Sequence, residues 1–242
     1  MRLTTEREHK SIIPLIDPDK WEMNNKLSNL IKAINNLDIE FILVGSSQPL
    51  KTDLEAFISY LKKDTKIPIV LFPSSHRTLA SNCNGILFLS LLNSRDPKYL
   101  IENHIKSAKF IKNSGMDIYS TAYILFGDKK SSVAVHSNTE PLTYGNREEI
   151  ESYILAAEYL GMENIYLEAG SGSETHISLD TIKVARKTTN LPIVCGGGIK
   201  NYSSVKSIFN SGANYIVIGN LLEEDGGTEK FREIVRQIKR EN

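Results

Sequence analysis

The stretch Asn164-Ile165-Tyr166-Leu167-Glu168-Ala169-Gly170-Ser171-Gly172-Ser173 begins as an apolar strand and ends in small residues able to wrap an anion. Successive side chains of a strand point to opposite faces, so Ile165 and Leu167 share one side and Tyr166 and Glu168 the other. A strand buried on both faces reads as apolar throughout. A glutamate at its last position therefore needs a reason, and a polar site at the strand's carboxyl end supplies one.

The same alternation of short apolar runs and longer amphipathic stretches extends in both directions. Strands are expected at Ile12–Ile16, Phe41–Val44, Ile67–Phe72, Gly85–Leu89, Asp117–Leu125, Asn164–Glu168, Leu191–Cys195 and Tyr215–Ile218. Helical patterns lie between and after them: Trp21–Asn36, Leu50–Lys63, Pro97–Asn113, Arg147–Leu160, Leu179–Thr188, Ser203–Asn210 and Glu229–Lys239. Strict alternation implies a parallel sheet, and eight repeats in 242 residues favour closure into a single (β/α)8 TIM barrel spanning residues 1–242. One helix is missing. From Pro73 to Asn84 the chain reads PSSHRTLASNCN, without an apolar stripe, so the connection between strands three and four is expected to be a loop. Gly127–Gly145 is a second irregular segment, long enough to be functional.

Lys plus Arg equals Asp plus Glu at 29 each, which argues against a nucleic-acid partner. No apolar run approaches the roughly 18 residues of a membrane span, and Met1–Lys10 shows no signal-peptide core. A cytoplasmic chain is the expectation. Cys83 and Cys195, the two cysteines, are too far apart for a clustered zinc pattern and read as buried thiols in a reducing compartment.

In barrels of this kind the active site forms at the carboxyl ends of the strands. Strands seven and eight end in Cys195-Gly196-Gly197-Gly198-Ile199-Lys200 and Ile218-Gly219-Asn220, turns whose backbone N–H groups can approach an oxyanion. With the Gly-Ser loop beside them they form a phosphate-site pattern. Asp17, ending strand one, is the natural ligand for Mg2+, which takes few protein oxygens and completes its shell with water and substrate phosphates. Ser46, ending strand two, can offer a second oxygen or hold a bound water. Asp17 could instead start the turn before Pro18, although Asp19 suits a helix cap better. Glu168 can act as general base for a hydroxyl, with Tyr166 positioning the same substrate; a salt bridge to Lys200 is the structural alternative. The five histidines show no metal-ligand spacing.

With these residues assembled, the chain resembles the geranylgeranylglyceryl phosphate synthase family, which includes heptaprenylglyceryl phosphate synthases. The resemblance spans nearly the whole chain and rests on LIDPDK (15–20), ILFLSLLNSRDP (86–97), SNTEP (137–141), YLEAGSGS (166–173), CGGGIK (195–200) and IGN (218–220). It implies a Mg2+-dependent prenyltransferase that joins a polyprenyl diphosphate to sn-glycerol 1-phosphate, with pyrophosphate leaving as an ether bond forms. It also implies that Tyr166, Leu167, Glu168, Ala169, Gly170, Ser171 and Gly172, with Gly197, Gly198, Gly219 and Asn220, hold glycerol phosphate, and that Asp17 and Ser46 hold the metal. The missing third helix matches the family's modified barrel. A homo-oligomer, dimer or hexamer, is implied as well, and a lipid product implies transient membrane contact. One branch of the family has a lysine two residues before the metal-binding aspartate; Leu15 and the AGSG loop resemble the other branch. A long prenyl chain needs an apolar groove, for which Tyr123, Phe126 and the gap left by the missing helix are candidate walls, with core packing the alternative for both rings. The competing readings are another phosphate-binding barrel enzyme, an isomerase or a flavin enzyme, and a binding barrel without turnover.

Overall fold

In the computed structural model, residue parity along each strand separates two cores, one inside a closed parallel barrel and one between barrel and helices. The structure describes residues 3–127, 129 and 131–241; within the expected irregular segment, Asp128 and Lys130 lie outside the described residues, as do Met1, Arg2 and Asn242 at the ends of the expected domain. The elements run β1 Ser11–Ile16, α1 Asn25–Asn35, β2 Ile42–Gly45, α2 Leu54–Leu61, β3 Ile69–Phe72, β4 Gly85–Leu91, α3 Asn103–Ser114, β5 Asp117–Leu125, α4 Ser132–Ser137, α5 Arg147–Tyr159, β6 Asn164–Glu168, α6 Leu179–Thr188, β7 Ile193–Gly196, α7 Tyr202–Asn210, β8 Tyr215–Ile218, α8 Asn220–Glu223 and α9 Gly227–Glu241. Neighbouring strands pair in sequence order, and β8 closes on β1 with Ser11 opposite Tyr215.

The inner core holds Ile13, Leu43, Val70, Leu87, Tyr123, Tyr166, Val194 and Val217. Their strand neighbours Ile12, Val44, Leu71, Ile86, Ile165 and Cys195 face the helices. The period of two assumed for β6 therefore holds around the barrel. Strands β3 and β7 start after their expected first residues because Pro68 and Pro192 have no N–H to donate to a ladder. The first helix begins at Asn25 rather than Trp21; residues 18–20 form a 3-10 turn, and the side chain of Asn24 caps α1 by accepting from Lys26 N–H (2.9 Å).

No helix joins β3 to β4, as expected, and the reason is local. Ser75 N–H donates to Thr78 Oγ1 (3.1 Å), Thr78 Oγ1 donates back to Ser75 O (2.9 Å), and Arg77 N–H donates to Ser75 Oγ (3.2 Å). Such side-chain bonds compete with the helical ladder for the same backbone groups. The far end of this loop is tied to α2, where Glu55 accepts from Ser81 N–H and Oγ (2.6 and 2.8 Å). Two short helices, α4 and α8, were not anticipated. The segment carrying α4 returns to the barrel through Asn93, whose Nδ2 donates to Leu125 O and Glu140 O (3.0 and 2.9 Å) while its Oδ1 accepts from Leu125 N–H (3.1 Å). Asn93 thus stitches two of the sequence motifs together. Among the described residues, no helix is long and apolar enough to cross a membrane.

Candidate active site

Glu168 is the last residue of β6 and points into the mouth of the barrel, 5% exposed. Its Oε1 accepts from Gly170 N–H (2.6 Å), and the hydroxyls of Tyr123 and Tyr166 also donate to the carboxylate. Tyr123 and Tyr166 are partners in the β5–β6 register, so parity sends both rings inward, with centroids 5.0 Å apart. Phe72, from the end of β3, packs against both at 6.0 and 5.8 Å. Burial pushes the Glu168 carboxyl up to about 7, with the Gly170 N–H and the two phenols pulling the other way. Burial also raises both phenols, Glu168 adding to it, so they stay protonated donors. No ion pair to Lys200 forms among the described residues; the carboxyl is desolvated and hydrogen-bonded, so that it can exchange a proton near neutral pH.

The neighbouring strand end is built around this group. A Cβ at Gly196, the register partner of Glu168, would lie 2.2 Å from the Tyr166 hydroxyl, and one at Gly197 (φ +84°) would lie 2.7 Å from Glu168 Oε1. Beyond them a cavity of 320 Å³ is lined by Gly172, Ser173, Gly197, Gly198, Gly219 and Asn220, with Lys200 and Glu223 at its edge. These are the three loops assigned to a phosphate, here brought together. Of the expected stretch 166–172, Gly172 lines this cavity; Leu167 and Ala169 face the helices in the outer core, while Tyr166 and Glu168 stand against Gly196 and Gly197. Ser171 is exposed.

Asp17 and Ser46 meet at the adjacent ends of β1 and β2, Ser46 Oγ donating to Asp17 Oδ2 (2.8 Å). Asp17 Oδ1 also accepts from Asp19 N–H (3.0 Å), capping the 3-10 turn. Asp19, expected to suit a cap, instead accepts from Lys51 N–H, Thr52 N–H and Thr52 Oγ1 and holds the β1 loop to the start of α2. Among the described residues there is no group of three His, Cys, Asp or Glu able to enclose a metal. A carboxylate with a neighbouring hydroxyl fits Mg2+, which borrows most of its oxygens from water and phosphates. Glu223, in the lining of the glycine cavity, is raised by burial and then by the charge of Asp17, so Asp17 lies within electrostatic reach of that cavity.

A second cavity, of 640 Å³, starts at Ser46 and occupies the place of the missing helix. Phe72, Leu87, Phe88, Leu89, Leu91 and Tyr123 are among its walls. Tyr123 is a wall of this cavity, although its ring also belongs to the inner core, and it hydrogen-bonds Glu168 as well. Phe126 is not: its strand parity turns it outward, where it stacks on Tyr144 at 5.8 Å in the outer core. Sequence reasoning passed over Phe72 and Glu223, while Ser173, part of the expected anion-wrapping loop, does line the cavity. For Phe72 the signal was available, because its parity follows that of Val70.

The PcrB family model matches residues 1–238. Geranylgeranylglyceryl phosphate synthase of Flavobacterium johnsoniae is 38% identical over 219 residues, 89% of each chain. That of Saccharolobus islandicus is 36% identical over 225 residues, covering 93% of this chain and 87% of the relative. The crystal structure of (S)-3-O-geranylgeranylglyceryl phosphate synthase from Thermoplasma acidophilum, in complex with sn-glycerol-1-phosphate, superposes with a TM-score of 0.90 at 26% identity, covering 99% of this chain and all of that one. Barrel closure, the missing third helix and a match over nearly the full length lead to one conclusion: the chain belongs to the PcrB family.

Proposed function

We propose that this protein is a prenyltransferase that joins a geranylgeranyl group from its diphosphate to sn-glycerol 1-phosphate, releasing pyrophosphate and forming an ether-linked lipid precursor. The observation that carries this reading is the position of Glu168, a desolvated carboxylate that touches a wall of each cavity: Gly197 of the glycine-lined one and Tyr123 of the large one, whose barrel side is apolar. The relatives' names and the glycerol phosphate bound to the Thermoplasma acidophilum enzyme support the same chemistry.

The glycine loops hold the phosphate of glycerol phosphate, and the primary hydroxyl turns toward Glu168. Glu168 takes the hydroxyl proton as the C–O bond forms. Tyr166 and Tyr123 fix the carboxylate through their hydroxyls, while their ring faces and that of Phe72 sit beside the allylic carbon, which gains positive character as the diphosphate departs. Asp17 and Ser46 would hold Mg2+, which would neutralise the diphosphate and favour its departure. Both thiols are free and buried, which suits a reducing cytosol.

A long prenyl donor needs room away from water. The cavity holds 640 Å³. Burying the chain contributes on the order of 10 kcal/mol before ordering costs. The test is pyrophosphate release with geranylgeranyl diphosphate and sn-glycerol 1-phosphate, run across prenyl lengths with product masses read out. Turnover should be highest with twenty carbons and far lower with the 3-phosphate enantiomer; no turnover with any prenyl diphosphate refutes the reading.

A further inference from the structure

The large cavity opens beside an unusual stretch of surface. Ile101 and Ile105, one helical turn apart at the entry to α3, are 52% and 69% exposed, and Val135 on α4 is 63% exposed. The Tyr99 hydroxyl donates to His136 O (2.8 Å), which draws the turn carrying Ile101 against the helix carrying Val135. Tyr99 and His136 line the cavity, as do Lys98, Lys106 and Val133. The three exposed apolar side chains are therefore close sequence neighbours of the cavity walls, a rim around an apolar space.

That rim is basic. Lys98, Lys106, Lys109 and Lys112 are all exposed, against a single acidic residue from 98 to 112, Glu102, which pairs with Lys106 (3.3 Å). A long prenyl chain resides in a bilayer before the reaction and its product after it, and each methylene left in water opposes transfer. A helix with apolar side chains among lysines partitions to a lipid interface, more strongly where headgroups are anionic.

We propose that the rim of Ile101, Ile105 and Val135, set among the lysines of α3, rests on an anionic lipid surface, so that the prenyl chain passes between bilayer and cavity without crossing water. The inference rests on the prenyl-transfer reading. The full chain is to be sedimented with phosphatidylcholine vesicles, with and without phosphatidylglycerol, beside the double variant Ile101→Glu, Ile105→Glu. Both positions are exposed, so thermal unfolding and transfer to a detergent-dispersed donor should be unchanged. The wild type should bind the anionic vesicles, less so as salt rises, and the variant should bind about tenfold or more weakly. No binding by the wild type, or equal binding by the variant, overturns the proposal. So does a variant that changes only the oligomeric state, which would assign the rim to contacts between copies. Wild-type vesicle binding without prenyl transfer in detergent would instead sink the assigned reaction.

Discussion

Replacing Glu168 by Gln should stabilise the protein above neutral pH while removing most of its turnover. The native carboxyl is raised from 4.5 to about 7, chiefly by burial. Between those two values the native state holds a proton that the unfolded chain releases, so the wild type loses stability as pH climbs through this window. A rise of about 2.5 units at 1.36 kcal/mol each is roughly 3 kcal/mol. Gln cannot ionise, keeps an oxygen for the Gly170 N–H, and is spared that loss. Urea unfolding of both proteins at about pH 4 and about pH 8 should therefore show the stability difference, variant minus wild type, growing by about 3 kcal/mol. Turnover should fall by about 10² to 10⁴, while calorimetry records a glycerol phosphate affinity changed by about threefold or less. A stability difference that is flat with pH would refute the desolvated carboxylate. Equal losses in turnover and affinity would make Glu168 a binding group.

Tyr123→Phe removes one donor that holds the Glu168 anion, so the rising limb of the pH–rate profile should move to higher pH, with turnover down about tenfold; an unmoved limb would separate the two groups. Gly197→Ala forces a Cβ to 2.7 Å from Glu168 Oε1 at φ +84°, and should lower stability by about 1–3 kcal/mol and weaken glycerol phosphate binding, read by urea unfolding and calorimetry. Chelation of divalent ions, or Asp17→Asn, should abolish transfer while leaving glycerol phosphate binding largely intact; turnover that survives chelation would remove the metal from the reaction.

The barrel and most of its site were legible in the sequence because both depend on short-range pattern. Period two in Ile165–Glu168 fixed which side chains face inward, and Pro and Gly marked where strands could begin and loops could approach an anion. The missing helix was legible for the same reason, since residues 73–84 lack an apolar stripe; the Ser75–Thr78 hydrogen bonds show what replaces it. What escaped was set by tertiary placement. Asp19 has the composition of a cap, yet Lys51 and Thr52, brought near by the fold, claim its oxygens. The second role of Tyr123, as a donor to Glu168, depends on the β5–β6 register, which no local spacing encodes. Of the two readings open for Phe126, wall or core, its strand parity selects the core.

The seam between β3 and β4 is held by two register pairs, Val70 with Gly85 and Leu71 with Ile86, whereas β4 and β5 share seven. Strands β1 and β2 are paired as sparsely, but α1 connects that couple. On the proposed reading this sparsely paired seam borders the cavity assigned to the prenyl chain, whereas five β5–β6 pairs and four β6–β7 pairs back Glu168 and the glycine turns. If the tail lies there, substitutions along the β3–β4 seam would change which tail fits while leaving the glycine turns, and with them the choice of glycerol phosphate enantiomer, untouched.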